Sequence, residues 1–353
     1  MALPRNPREK YLQISIIVPC YNAKTTIEKC VISLLDQDFP KEDYEIIIVD
    51  DASTDNCLDL IQDDHIKKIK APSNKGPGVA RNLGAEMAQG EILAFTDSDC
   101  IAPSHWLTKI KEGFDNGNHI AVFAGYNGTA RNSPLENFAL LECRFRQSAL
   151  TYHLELSSTS NFSCYRFAFE HIKGFPIYSI WGKDPLIKPF WGSEDLEIAY
   201  LLYEAYEDKI IWDNENGVTH HFHSEIVKYA QQQAFFASAS IVSYFKYPNI
   251  GNAGESSGRS SALSQIFSLF PLLLGLLGFK WSVFYIAPFA SYLLIVVANT
   301  KLLKFINEQT TGSFPRWLYS SYLFVRNISW TYGFIRGLFW GPGVWFGKTH
   351  EPI

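Results

Sequence analysis

Residues 77–99 read PGVARNLGAEMAQGEILAFTDSD, and this stretch decides the fold. A helix is expected over Pro77–Gln89, ending before Gly90, where glycine suits a left-handed cap. Ile92–Phe95 then reads as a buried strand running into Thr96-Asp97-Ser98-Asp99. Working outward, Ile14–Val18 (ISIIV) and Ile46–Val49 (IIIV) are continuous apolar runs, as strands buried on both faces of a mostly parallel sheet require. Between them Thr25–Leu35 carries Ile27, Val31, Leu34 and Leu35 at helical spacing. Such alternation predicts an open α/β sheet with helices on both faces and a ligand crevice at the carboxyl ends of its strands.

The chain has 353 residues, enough for two domains. With 47% hydrophobic and 19% charged residues it is globular, which excludes a disordered chain. The net charge of −5 argues against a nucleic-acid partner, which normally meets a basic surplus. That figure hides a split. Up to Ile226 there are 21 basic and 33 acidic residues; from Val227 onward there are 10 basic and 3 acidic. Halves of opposite sign are expected to face different surroundings. The six cysteines, Cys20, Cys30, Cys57, Cys100, Cys143 and Cys164, stand singly without a CxxC, which predicts reduced, mostly buried thiols. The first ten residues contain no apolar core, so no signal peptide is expected.

A catalytic domain over 1–250 and a membrane-associated region over 251–353 are expected. Asn249–Ser261 is Gly/Ser-rich and reads as a linker. Across Ser261–Ala298 the only charged residue is Lys280. It separates two apolar segments, 261–279 and 281–298, that qualify as short spans against the about 17–25 residues a crossing needs. Buried core helices are the alternative. Trp281 and Tyr285 suit an interface, while Arg259, Lys301 and Lys304 put both outer ends on the cytoplasmic side. The stretch 317–340 is a third hydrophobic helix or an interfacial amphipathic one; the second explains Arg326 and Arg336 at lower cost.

Four clusters carry chemistry. Pro19-Cys20-Tyr21-Asn22 follows the first strand, and Asp50-Asp51-Ala52-Ser53-Thr54-Asp55 follows the second. Acids at such strand ends can accept hydrogen bonds from a nucleobase or ribose. Ser53–Asp55 read better as turn and cap residues, Asp51 as a site residue. In Asn74–Asn82 the third glycine of a dinucleotide loop falls at Arg81, which replaces close packing by a charge able to reach phosphate; a dehydrogenase is rejected. A phosphate loop at Gly347-Lys348-Thr349 fails too, with Pro342 at its first glycine position. Asp97-Ser98-Asp99 can hold a hard divalent cation, Mn2+ or Mg2+, and present it to a diphosphate. Finally come Glu194 and Asp195 at a helix start, then His220, His221 and His223. The two acids complement a helix dipole or include a general base, and one imidazole can complete a metal shell.

Taken in order, ISIIVPCYNA, EIIIVDDASTD, GVARNLGAEMAQGEILAFTDSD, WGSEDLEIAYLL and VTHHFH resemble inverting family 2 glycosyltransferases of the GT-A fold, over about Ile14–Ser224. The resemblance implies a UDP- or GDP-sugar donor, with Pro19, Tyr21, Asn22, Asp51, Arg81, Asp97 and Ser98 around it. It implies Asp97 and Asp99 at the metal and diphosphate, joined by His220, and Asp195 as base with Glu194 supporting. Asn161 falls where such enzymes often line the acceptor pocket. The Gln231–Phe235 stretch (QQQAF) lacks the Arg and Trp of the processive QxxRW motif, so transfer of a single sugar is expected. The acceptor expected is a lipid-linked or envelope glycan, with membrane lipids as further partners. A polyprenyl-phosphate glycosyltransferase and a non-catalytic membrane scaffold or transport subunit are the alternatives.

Overall fold

The computed structural model describes residues 12–148, 158–176, 194–246, 282–310 and 316–340. The chain divides into two compact units. One comprises Met1–Gly125, Ser157–Ile177 and Ile198–Thr219; the other comprises Tyr126–Leu156, Tyr178–Glu197 and His220–Ile353.

The first unit is built on a sheet whose strands are β1 (Ile14–Cys20), β2 (Tyr44–Asp50), β3 (Ile66–Lys70), β4 (Ile92–Thr96), β5 (Cys100–Ile101), β6 (Ala121–Thr129), β7 (Asn161–Tyr165) and β8 (Ile210–His220). Their order is β3-β2-β1-β4-β7-β6-β8-β5. Strands β1 to β4 pair in parallel, with Ile16 beside Ile46 and Ala94. Every residue of β1, β2 and β4 is buried, which is why apolar runs such as Ile16–Val18 and Ile46–Val49 dominate their sequences. β3, by contrast, reads IKKIK and exposes lysines at the sheet edge, where charge blocks pairing with another strand. β7 runs antiparallel to both β4 and β6, so the sheet is mixed, and the parallel expectation holds for the β3-β2-β1-β4 half.

Helices α1 (Ile27–Leu35), α2 (Pro77–Met87), α3 (Trp106–Asp115), α4 (Pro134–Ser148), α5 (Arg166–His171) and α6 (Glu194–Tyr206) follow in chain order. α2 lies tightly on the sheet: a Cβ on Gly84 would stand 2.5 Å from Ile17 Cγ2. Its C-cap is Ala88, in extended conformation, and Gly90 has no left-handed φ, which corrects the expected cap. The glycine is needed for another reason. A Cβ there would lie 2.5 Å from the Ser15 nitrogen and 2.6 Å from the Ile14 carbonyl carbon. Nearby, the buried Glu45 accepts from Ser15 Oγ (2.6 Å) and the Gln89 N–H (2.6 Å) and pairs with Lys67 (2.5 Å), tying β1, β2, β3 and the end of α2.

The second unit contains α4 and helices α7 (Ile226–Lys246), α8 (Ser282–Ala298), α9 (Thr300–Gln309) and α10 (Arg316–Trp340). Phe138, Leu141, Tyr229, Ile295, Leu302, Ile306, Tyr319 and Leu323 form its core. α10 packs on α7 so closely that a Cβ on Gly333 would collide with the Ala234 carbonyl, and Ser238 Oγ donates to the Gly333 carbonyl at 2.7 Å. Arg326 is buried, pairs with Glu142 at 2.7 Å and lies over the Trp330 ring at 5.2 Å. The interior of the unit thus accounts for this arginine, where the sequence suggested a membrane interface. Among the described residues no single helix is long and apolar enough to cross a membrane. The expected span 281–298 is the 17-residue α8, and Phe289–Ala298 bends by 70° into Thr300–Gln309; only this bent pair passes by length and composition. The expected span 261–279 and the linker lie outside the described residues.

All six cysteines are free, and five of them are buried, as their single spacing predicted.

Candidate active site

At the carboxyl end of β1, Pro19 is the strand's penultimate residue, Tyr21 is half exposed and Asn22 takes a left-handed φ of 50°. Asn22 is braced by the loop after β2: its N–H donates to Ser53 Oγ (2.9 Å), and its Oδ1 accepts from the Thr54 N–H (2.8 Å). Asp50 accepts from the Ser53 N–H, and Asp55 accepts from the Lys24 and Cys57 N–H groups. Ser53–Asp55 therefore do turn chemistry, as read from the sequence. Asp51 is buried at the end of β2, and its two carboxylate oxygens accept the N–H groups of Lys75 (2.9 Å) and Gly76 (2.7 Å). Burial pushes its pKa up, opposed by those two backbone donors, with Asp50 adding to the rise. Asp51 thereby fixes the loop leading into α2, a contact the sequence did not reveal.

Arg81 on α2 and Asp97 after β4 meet directly: Arg81 Nη2 lies 2.6 Å from Asp97 Oδ1, with the Arg81 side chain 4% exposed and that of Asp97 30% exposed. Ser98 and Asp99 follow, partly buried, and the Cys100 N–H closes the turn on the Asp97 carbonyl at 3.0 Å. The donor set here fits Mn2+ or Mg2+. Burial, reinforced by the charges of Asp99 and Asp97, pushes the Cys30 and Cys100 thiols up, and the carboxylate oxygens of Asp97 and Asp99 are the hard donors such cations prefer.

The remaining predicted residues belong to the second unit. Glu194 and Asp195 open α6, where acids complement the helix dipole, Glu194 buried and Asp195 partly so. His220 closes β8. Its ring packs against Tyr126 at 4.8 Å and Phe222 at 4.4 Å, and its carbonyl accepts the Ala130 N–H at 3.1 Å. His221 and His223 are partly buried beside it.

Asn161 has partners that the sequence did not reveal. Asn161 is buried in the first unit. It donates to the carbonyls of Gly125 (3.1 Å) and Asn216 (2.7 Å) and accepts from Trp106 Nε1 (2.9 Å). Its amide is taken up by the framework of β6, β7 and β8.

Comparison with known proteins now bears on this geometry. The Glycosyl transferase family 2 model matches residues 15–173. The putative teichuronic acid biosynthesis glycosyltransferase TuaG of Bacillus subtilis (strain 168) is 38% identical over 152 residues, 41% of this chain and 58% of that protein. Glycosyltransferase AglE of Haloferax volcanii is 34% identical over 204 residues, 55% of this chain and 64% of that protein. The chain thus spans less than two thirds of the length of either relative. The solved structure of mannosyltransferase PcManGT from Pyrobaculum calidifontis, in complex with GDP-Man and Mn2+, aligns over 95% of this chain and 89% of that one, with a TM-score of 0.58 and 16% identity. That likeness establishes a GT-A-like α/β fold. Residues 15–173 thus carry a Glycosyl transferase family 2 domain.

Proposed function

We propose that the chain transfers one sugar from a nucleotide-diphosphate sugar to a hydroxyl of a cell-envelope glycan, with inversion. The observation that carries this reading is the buried Arg81 held on Asp97 at the carboxyl end of β4. In an open α/β sheet that edge is where a nucleotide binds, and a desolvated guanidinium there suits a diphosphate. Pro19, Tyr21, Asn22 and the loop held by Asp51 would receive the base and ribose of a UDP or GDP moiety, and Ser98 would lie beside the diphosphate. Asp97 and Asp99 would hold Mn2+ or Mg2+, with His220 added by the family resemblance; the ion would neutralise charge on the departing nucleoside diphosphate. Asp195 would take the acceptor proton and Glu194 would support it. The missing Arg and Trp of QxxRW favour a single transfer.

An envelope acceptor is supported by the teichuronic acid biosynthesis in the name of the Bacillus relative. Lipid-linked substrate and membrane attachment, with the catalytic domain on the cytoplasmic side, are supported by the basic tail and by exposed Phe289, Leu293, Val297 and Trp317 in the second unit. Release of nucleoside diphosphate from a panel of UDP- and GDP-sugars, with Mn2+ and an envelope-lipid extract as acceptor, tests the reading. Turnover of at least one donor is expected, and a loss of about 10²–10⁴-fold in Asp195→Asn. Near-wild-type turnover in Asp195→Asn would point to a polyprenyl-phosphate acceptor, which needs no base. Failure to turn over any donor would favour a non-catalytic role.

A further inference from the structure

Beyond the strand ends, the turn after α5 holds a group that the donor-site reading leaves unexplained. Lys173 and Gly174 take left-handed φ values of 63° and 70° and reverse the chain. Glycine is required at 174, because a Cβ there would stand 2.6 Å from Asn82 Oδ1 and 3.0 Å from the Phe169 ring. The close approach lets Asn82 grip the next residue at both backbone groups. Asn82 Nδ2 donates to the Phe175 carbonyl at 2.9 Å, and the Phe175 N–H donates to Asn82 Oδ1 at 2.8 Å.

The Phe175 ring is buried and meets Phe95 edge-on at 5.3 Å, Phe162 at 6.4 Å and Phe169 at 5.6 Å. The Arg81 guanidinium lies 5.3 Å from the ring centroid and is bonded to Asp97. Asn82 and Arg81 are neighbours on α2. One reaches Phe175 through its backbone, the other through the π face of its ring.

We infer that Phe175, seated by Asn82, is a positioning residue for the donor site. Its ring sets the orientation in which Arg81 meets Asp97 and the diphosphate. The inference rests on the donor reading above. A cation over an aromatic face is attracted by the ring quadrupole, and the attraction grows when the pair is desolvated. Simple packing would need only an apolar side chain of similar shape. The quadrupole is what distinguishes the two roles.

Fluorination tests this, because it drains the π face with little change of shape. Full-length protein would carry phenylalanine or its 4-fluoro, 3,5-difluoro or pentafluoro analogue at 175, with UDP and GDP affinity measured by calorimetry in Mn2+ and folding checked by urea unfolding. The affinity is expected to fall stepwise along the series, by roughly threefold to thirtyfold in total. In an Arg81→Ala background the same series is expected to be flat. Flat affinities with Arg81 present, while the unmodified chain binds nucleotide, would overturn the positioning role. Absence of binding by the unmodified chain would instead overturn the donor reading on which it stands.

Discussion

Asp51 uses both carboxylate oxygens on the backbone N–H groups of Lys75 and Gly76. Asparagine keeps the shape but turns one acceptor into an NH2 group facing an N–H. Asp51→Asn is therefore expected to cost about 1–3 kcal/mol, read as a lowered urea midpoint, because a buried donor is left without its acceptor. The position of such an acid at a strand end is legible in the sequence, since it directly follows a continuous apolar run. Its backbone partners are not, because they lie 24 and 25 residues further on. Arg81 shows the same division. Its place in the third glycine position signals a charge near phosphate, yet its two neighbours, Asp97 and Phe175, become visible only in three dimensions. Asn161 shows the same division. An amide beside a presumed pocket looks available until the Gly125 and Asn216 carbonyls and the Trp106 indole are found to claim it.

Among the elements, β1, β2 and β4 were readable because each is buried throughout and so written mostly in apolar residues. β7 (NFSCY) carries no such run, and its antiparallel direction follows from pairing that its short sequence does not encode. Gly90 was legible as a required glycine, but the requirement is close approach to β1 rather than φ. Glu45 is the least expected member of the sheet, a charged residue in the middle of its buried half. Burial disfavours its charge, but the bonds from Lys67, Ser15 and the Gln89 N–H prevail and hold its pKa below the ordinary 4.5. A lowered folded pKa means stability that is present above the unfolded value and lost as pH falls through the folded one. Urea unfolding between about pH 6 and pH 3 should therefore show a decline below about pH 4.5 that is reduced in Glu45→Gln, together with a lower plateau in that variant. A variant with the same plateau and the same acid slope would refute this role.

For the whole molecule, the net charge of −5 joins an acidic stretch up to Ile226 and a basic one beyond it. Of the acids of the first stretch, Asp51, Asp97 and Asp99 stand at the ends of β2 and β4 in the first unit, whereas Glu194 and Asp195 belong to the second. The basic surplus is not all surface: Arg326 is buried on Glu142, an ion pair between residues too distant in sequence for any periodicity to reveal. What the helical tail does give up to reading is its apolarity, spread over α8, α9 and α10, with α8 and α9 bent against each other. The central claim concerns the other unit, that its strand ends form a nucleotide-diphosphate site organised by Arg81. Calorimetric titration of UDP and of GDP into the full chain with Mn2+ tests it most directly. Saturable binding of one nucleotide is expected, weakened at least about tenfold, or about 1.4 kcal/mol, by Arg81→Ala. Absence of binding by both nucleotides, or equal affinity in the Arg81→Ala protein, would contradict the account.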